Sequence, residues 1–343
     1  MLNRSSFCKF ISVLLTMSPG CLLMMAPSGS HANPLENASA FYESAHSGVE
    51  MSFEYVHNLI ILNASTADNP SLNLILDTGS NYCILDRSLA LSGTAEREMS
   101  VNTSHEQAKM MKFQLDSLVL KGEIGEISAS SLPVLRADLH QVSECLRRPV
   151  HGILGLSFLA GYVVEIDYQE KRIRFWPADV GSATRKKVEK ENSLVFNLSE
   201  ERAGLRYPIL MISGTLPGNY DCPFVVDTGF GGNLSVTSKT ANRSGLIQSG
   251  TAHQNLTSNT VSGKHLSSRI DAPRLKLGGV TFDKQSVQVD YCSGRFENRP
   301  GLIGNMLLQN YIVTFDYARR QLLLETKNEA KSAKKTGEKE LGK

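Results

Sequence analysis

Two aspartates stand out by their surroundings. Asp77 ends the apolar run Leu74-Ile75-Leu76 and opens an Asp-Thr-Gly triplet with Thr78 and Gly79. Asp227 ends Phe224-Val225-Val226 and opens the same triplet with Thr228 and Gly229, 150 positions later. A carboxyl at the end of an apolar strand is a candidate general acid or base, and two of them in one place could divide those tasks. One Asp-Thr-Gly after a strand is an ordinary turn. Two in matching frames are not so easily dismissed.

The matching continues downstream. Gly152-Ile153-Leu154-Gly155 leads into Phe158-Leu159 and then Tyr162-Val163-Val164-Glu165-Ile166-Asp167-Tyr168. Gly301-Leu302-Ile303-Gly304 leads into Leu307-Leu308 and Tyr311-Ile312-Val313-Thr314-Phe315-Asp316-Tyr317, at an offset of 149. Only one net residue separates the two frames, so the chain is an internal duplication.

The elements that must position these residues read as β. Short runs of Val, Ile, Leu and aromatics are bounded by Gly, Asn, Asp, Ser and Pro, and no 3.6-residue periodicity lasts for a typical helix. Strands are expected over 51–64, 72–77, 82–86, 112–120, 162–168 and 172–176 in the first half. The second half should place them over 193–198, 207–214, 222–227, 233–237, 274–277, 286–291, 311–317 and 321–325. Residues 177–192, with Arg185-Lys186-Lys187, read as a linker between halves spanning 51–176 and 193–326. Residues 327–343 are Lys, Glu, Ala and Gly with almost nothing to bury and read as a disordered charged tail.

Other chemistries find little support. Gly229-Phe230-Gly231-Gly232 lacks the spacing of a dinucleotide loop, and Asn233-Leu234-Ser235-Val236 continues as strand, which leaves no helix N-terminus for phosphate. The chain has no Gly-x-Ser-x-Gly elbow, no His-Glu-x-x-His and no Cys-x-x-Cys. His151 reads as a packed or surface residue, and Asp167-Tyr168 and Asp316-Tyr317 as structural strand ends before charged turns.

Strand, Asp-Thr-Gly, strand, then Gly-hydrophobic-hydrophobic-Gly, occurring twice over most of 51–326, resembles the aspartic protease superfamily of pepsins and retroviral proteases. The sparse elaborations look more like bacterial retropepsin-like proteins. The resemblance implies an all-β fold of two related β-barrel-like lobes of the acid-protease type, with the active site at the lobe interface. It implies an aspartic endopeptidase in which Asp77 and Asp227 share a proton, hold a water and need no cofactor. The alternative is a catalytically weak or inactive peptide-binding protein that retains the fold.

Further roles follow from the same resemblance. Gly79 and Gly229 bring backbone N–H groups to the carboxylates, and Thr78 and Thr228 reach across to the opposite lobe. Ser80 should hydrogen-bond the outer oxygen of Asp77, whereas Phe230, at the matching place, offers no donor. On that difference the shared proton should favour Asp227, leaving Asp77 as base. Substrate-covering hairpins should fall near Asn102–Lys112 and Leu256–His265. The first has neither the Tyr of pepsins nor the Gly of retroviral flaps, so specificity does not carry over.

The remaining composition is balanced. With 36 basic and 34 acidic residues the chain has no global field to gather nucleic acid. Arg4 and Lys9 precede the apolar run Phe10–Met17, and Ser30-His31-Ala32 offers a cleavage site, so 1–32 reads as a signal peptide followed by an N-terminal segment, 33–50. The product is expected to be periplasmic or extracellular, monomeric and without a stable membrane span, acting on polypeptides. Lipid anchoring through Cys21 is the minority option. Cleavage leaves Cys83, Cys145, Cys222 and Cys292, which suggests two disulfides, Cys83–Cys145 and Cys222–Cys292.

Overall fold

The computed structural model describes residues 48–103, 105–123, 125–178, 193–200, 207–247, 254–260 and 263–326, with the two-residue strands Ile11–Ser12, Thr16–Met17 and Tyr42–Glu43. Most of the expected signal peptide, most of the N-terminal segment, most of the linker and the charged tail lie outside the described residues. Among the described residues no helix is long and apolar enough to cross a membrane.

Each Asp-Thr-Gly follows a strand buried on both faces. Leu72–Leu76 runs antiparallel to Leu59–Ala64 and parallel to Gly152–Leu154, with Leu74 opposite Gly152. Phe224–Val226 repeats this, antiparallel to Leu210–Ile212 and parallel to Gly301–Ile303. Unbroken apolar runs suit such central positions because both faces leave water. The larger sheets share one strand order. In the first lobe it runs from Gly93–Asn102 through Gln107–Lys121, Glu126–Ala137, Cys83–Asp86, Gly152–Leu154 and Leu72–Leu76 to Leu59–Ala64 and Glu54–Val56. In the second it runs from Gln254–Thr260 through Gly263–Leu277, Val280–Asp290, Leu234–Thr237, Gly301–Ile303 and Phe224–Val226 to Leu210–Ile212 and Ser199–Glu200. The duplication in the sequence is therefore a duplication of topology.

A six-stranded sheet joins the lobes. Its central pair is Tyr162–Asp167 against Tyr311–Asp316, antiparallel, with Val163 opposite Asp316 and Asp167 opposite Ile312. The two copies of one segment thus hydrogen-bond to each other, and their shared register fixes how the lobes meet.

Two expectations need refinement. The expected strand 51–64 is broken at His57 and Asn58, both in the left-handed region. The long hairpin strands Gly93–Asn102, Gln107–Lys121 and Glu126–Ala137 extend well beyond the expected 112–120, because their first residues are polar and exposed and present no apolar signal. The described helices are short, the longest being His140–Leu146.

Candidate active site

The Gly-hydrophobic-hydrophobic-Gly strands aim the aspartates. Asp77 donates its N–H to the Leu154 carbonyl at 3.0 Å, and Asp227 donates its own to Ile303 at 2.9 Å. Each chain then turns, and the lobes interlock through their threonines. Thr78 Oγ1 donates to the Val226 carbonyl at 2.6 Å, and Thr228 Oγ1 to Leu76 at 3.0 Å. Each hydroxyl also accepts the opposite threonine N–H at 3.1 Å. All four bonds are buried, where a lost partner costs roughly 1–3 kcal/mol.

This lock brings Asp77 and Asp227 together. Both residues are 0% exposed. Oδ1 of Asp77 accepts the Gly79 N–H, and Oδ1 of Asp227 accepts the Gly229 N–H, each at 2.8 Å. A Cβ at Gly79 would sit 2.7 Å from the Asp227 carboxyl carbon, and one at Gly229 2.5 Å from that of Asp77, so only glycine fits at either place. Both Oδ2 atoms are buried with no donor among the described residues. The carboxyls are within hydrogen-bonding reach of each other, and that bond exists only if one of them is protonated.

Electrostatics points the same way. Burial first, and then the charge of Asp227, push the Asp77 carboxyl well above the usual carboxylate range. Burial also raises Asp227, but less, because the hydrogen bond from Asp77 and the Gly229 N–H favour its charged form, as does the Arg299 guanidinium. The pair therefore shares one proton and titrates as a unit.

The hydrogen bond expected from Ser80 to Asp77 is absent. The Ser80 hydroxyl does not reach Asp77 but donates to the Tyr82 carbonyl at 2.8 Å, satisfying a buried turn. Phe230, 0% exposed, packs its ring where a Cβ at Gly232 or Gly304 would collide with it, so it fills the second lobe's core. Neither residue distinguishes the two carboxyls.

The difference lies in residues that the sequence reading passed over. Asp290 pairs with Arg299, accepts Ser235 Oγ at 2.5 Å and accepts Gln288 Nε2 at 2.6 Å. Asp290 and Arg299 side chains are 2% and 6% exposed. In the first lobe the matching positions are Ala137, Val150 and Ile84, by the registers of the central strands. A charged residue in one copy of an apolar position was the available signal.

Further ties cross between lobes. Asn58 Nδ2 donates to Gly231 at 3.1 Å and Asn81 Nδ2 to Tyr207 at 2.5 Å. Asn305 Nδ2 donates to the carbonyls of Asn58 and Thr228, at 2.7 and 2.6 Å, while its Oδ1 accepts the Tyr168 hydroxyl at 2.7 Å. Tyr317 is the copy of Tyr168, Leu156 occupies the position that corresponds to Asn305, and the buried Tyr317 hydroxyl has no partner among the described residues.

The expected disulfides do not form. Cys83, Cys222 and Cys292 are in no disulfide, so neither expected pair is made. Cys83 is locked in the central sheet with its sulfur accepting the Gly155 N–H at 3.3 Å, and Cys222 points its sulfur at Pro223 O, 3.6 Å away. Cys292 lies against Arg299, and Cys145 packs at the edge of the core. His151 is structural, accepting the Asn73 N–H on Nδ1 at 2.9 Å.

An aspartyl protease family model matches residues 63–158, which hold Asp77 and the first Gly-hydrophobic-hydrophobic-Gly element. No curated protein matches the chain. Among solved structures, basic 7S globulin from soybean is similar at 10% identity with a TM-score of 0.49, over 81% of this chain and 94% of that one.

Proposed function

We propose that the chain, whose residues 63–158 match an aspartyl protease family model, is an endopeptidase whose Asp77 and Asp227 hydrolyse peptide bonds as one acid–base unit. The observation that carries this reading is the buried pair itself: two carboxyls, one from each lobe, held by matched backbone donors and left with each other as partner. Such a pair retains one proton over a wide pH range, so acid and base are present together.

The charged member of the pair removes a proton from a water placed between the carboxyls as that water attacks the peptide carbonyl. The proton already on the pair and the one taken up are then available to the carbonyl oxygen and the leaving nitrogen. Collapse to acid and amine restores one shared proton. The reciprocal threonine bonds keep the two carboxyls in register through these transfers. An exported location, inferred from the N-terminal leader pattern, forms part of the same reading.

The test is a cleavage assay on a random peptide pool, comparing the protein with its Asp227→Asn variant. New peptide termini produced by the first and not by the second support the reading. Equal cleavage by both, or by neither at any pH from 3 to 8, would replace it with a peptide-binding role.

A further inference from the structure

The hairpins expected to cover the site meet each other. In the first lobe, Gly93–Asn102 and Gln107–Lys121 are joined by a turn tied at its base, where Thr103 N–H donates to Glu106 O at 2.8 Å and Thr103 Oγ1 accepts the Glu106 N–H at 3.1 Å. That turn carries His105. In the second lobe, Gln254–Thr260 pairs with Gly263–Leu277, and His265 lies opposite Ser258 near the hairpin's end. The imidazoles of His105 and His265 stack face to face, with centroids 3.9 Å apart and planes 11° from parallel. His105 is only 9% exposed.

We propose that the His105–His265 stack is a pH-sensitive latch, which holds the two hairpins together over the closed site when both rings are neutral and parts them when either ring is protonated. The inference rests on the proposed active site only for what opening would admit. The hairpins are also flanked by N-terminal strands, Ile11–Ser12 pairing with Gln254–Thr260 and Thr16–Met17 with Gly93–Asn102, and Asp77 and Asp227 are both buried in this arrangement.

The charges around the stack set its direction. Burial disfavours an imidazolium on both rings. The Asp290 carboxylate opposes this at both, Glu106 opposes it at His265, and Arg299 reinforces it at His105. For His105 the balance moves the ring down to about 4 from its ordinary 6.5. A group whose value is depressed in the closed state stabilises that state above its open-state value, and the stabilisation is lost as pH falls. From these two values the opening constant rises about twentyfold between pH 7 and pH 5, through His105 alone. Two stacked cations would add repulsion.

Hydroxyl-radical footprinting, read by mass spectrometry at pH 7.5 and pH 5.0, reports opening without requiring activity. In the intact protein, oxidation of the rings at 105 and 265 should rise together by about tenfold as pH falls, while Tyr162 in the interlobe sheet stays protected. A His105→Phe/His265→Phe variant keeps two stacking rings without a titratable group, so its footprint at both positions should not change with pH. His105→Gln alone should leave position 265 oxidised to the same extent at both pH values. Rings in the intact protein that stay equally protected at pH 5.0, or a Phe/Phe variant that opens like the parent, would overturn the latch. Opening without any peptide cleavage would instead overturn the peptidase reading and leave the latch standing.

Discussion

Around the first aspartate the supporting layer is Ile84, Ala137 and Val150; around the second, the same layer is Ser235, Asp290 and Arg299. The backbones of the two lobes repeat strand for strand, and the bonds to the carboxyls repeat to the same 2.8 Å. Duplication thus preserved the geometry that pairs the carboxyls, while the shell behind them diverged. The consequence is electrostatic. Backbone donors offset part of the burial at both carboxyls, and the second lobe adds a guanidinium near Asp227 that the first lobe does not match near Asp77.

The largest expected effect comes from breaking the charged layer. Arg299→Leu leaves the Asp290 carboxylate buried without its cation and should destabilise the protein by about 3–5 kcal/mol in urea melts. Exchanging the whole layer for the first lobe's residues, Ser235→Ile, Asp290→Ala and Arg299→Val together, should recover most of that loss. It should also raise the Asp227 carboxyl and move the acid limb of the kcat/KM profile to higher pH, because the cation that favoured its charged form is gone.

A smaller effect concerns the carboxyls as a stability cost. Both are raised in the folded protein, so the folded state binds more protons than the unfolded one once pH exceeds the ordinary carboxyl value. Their unfavourable contribution is therefore absent at low pH and grows as pH rises through the folded values. Asp77→Asn should accordingly raise Tm by a few degrees at pH 7, with the gain shrinking as pH falls towards 4. Thermal melts across that range measure it, and a variant that melted lower at pH 7 would contradict the burial argument.

How much of this was visible beforehand depends on the range of the interactions. Asp77, Asp227 and their triplets announce themselves because apolar runs, glycines and a matched frame are local signals. The interlobe hydrogen bonds of Asn58, Asn81 and Asn305 are not local, since each joins a polar residue to a backbone group far away in sequence. Ser80 misled for a similar reason. Its hydroxyl could serve Asp77 or the Tyr82 carbonyl, and only the fold shows the turn claiming it. Cysteine spacing carried no information about pairing, because a buried thiol such as Cys83 can satisfy itself within a sheet. Arg299 and Asp290 were legible in principle, as charged residues aligned with Val150 and Ala137.

The smallest expected effects refine the comparison at the repeated tyrosines. Tyr168→Phe removes the donor to Asn305 Oδ1 and leaves that buried oxygen unpaired, which should cost about 1–3 kcal/mol. Tyr317→Phe removes a hydroxyl that has no partner among the described residues and should be neutral or slightly stabilising. Equal losses at the two positions would show that the lobes are more alike here than their side chains indicate.

The central claim is that two carboxyls from two lobes act as one unit, and a double-mutant cycle on peptide cleavage tests it most directly. Rates for Asp77→Asn, Asp227→Asn and the double variant should be equally low, each at least about a thousandfold below the parent, because removing either carboxyl removes the shared function. Single variants that each keep substantial activity, with losses that add in the double variant, would mean that Asp77 and Asp227 act independently and would contradict the account.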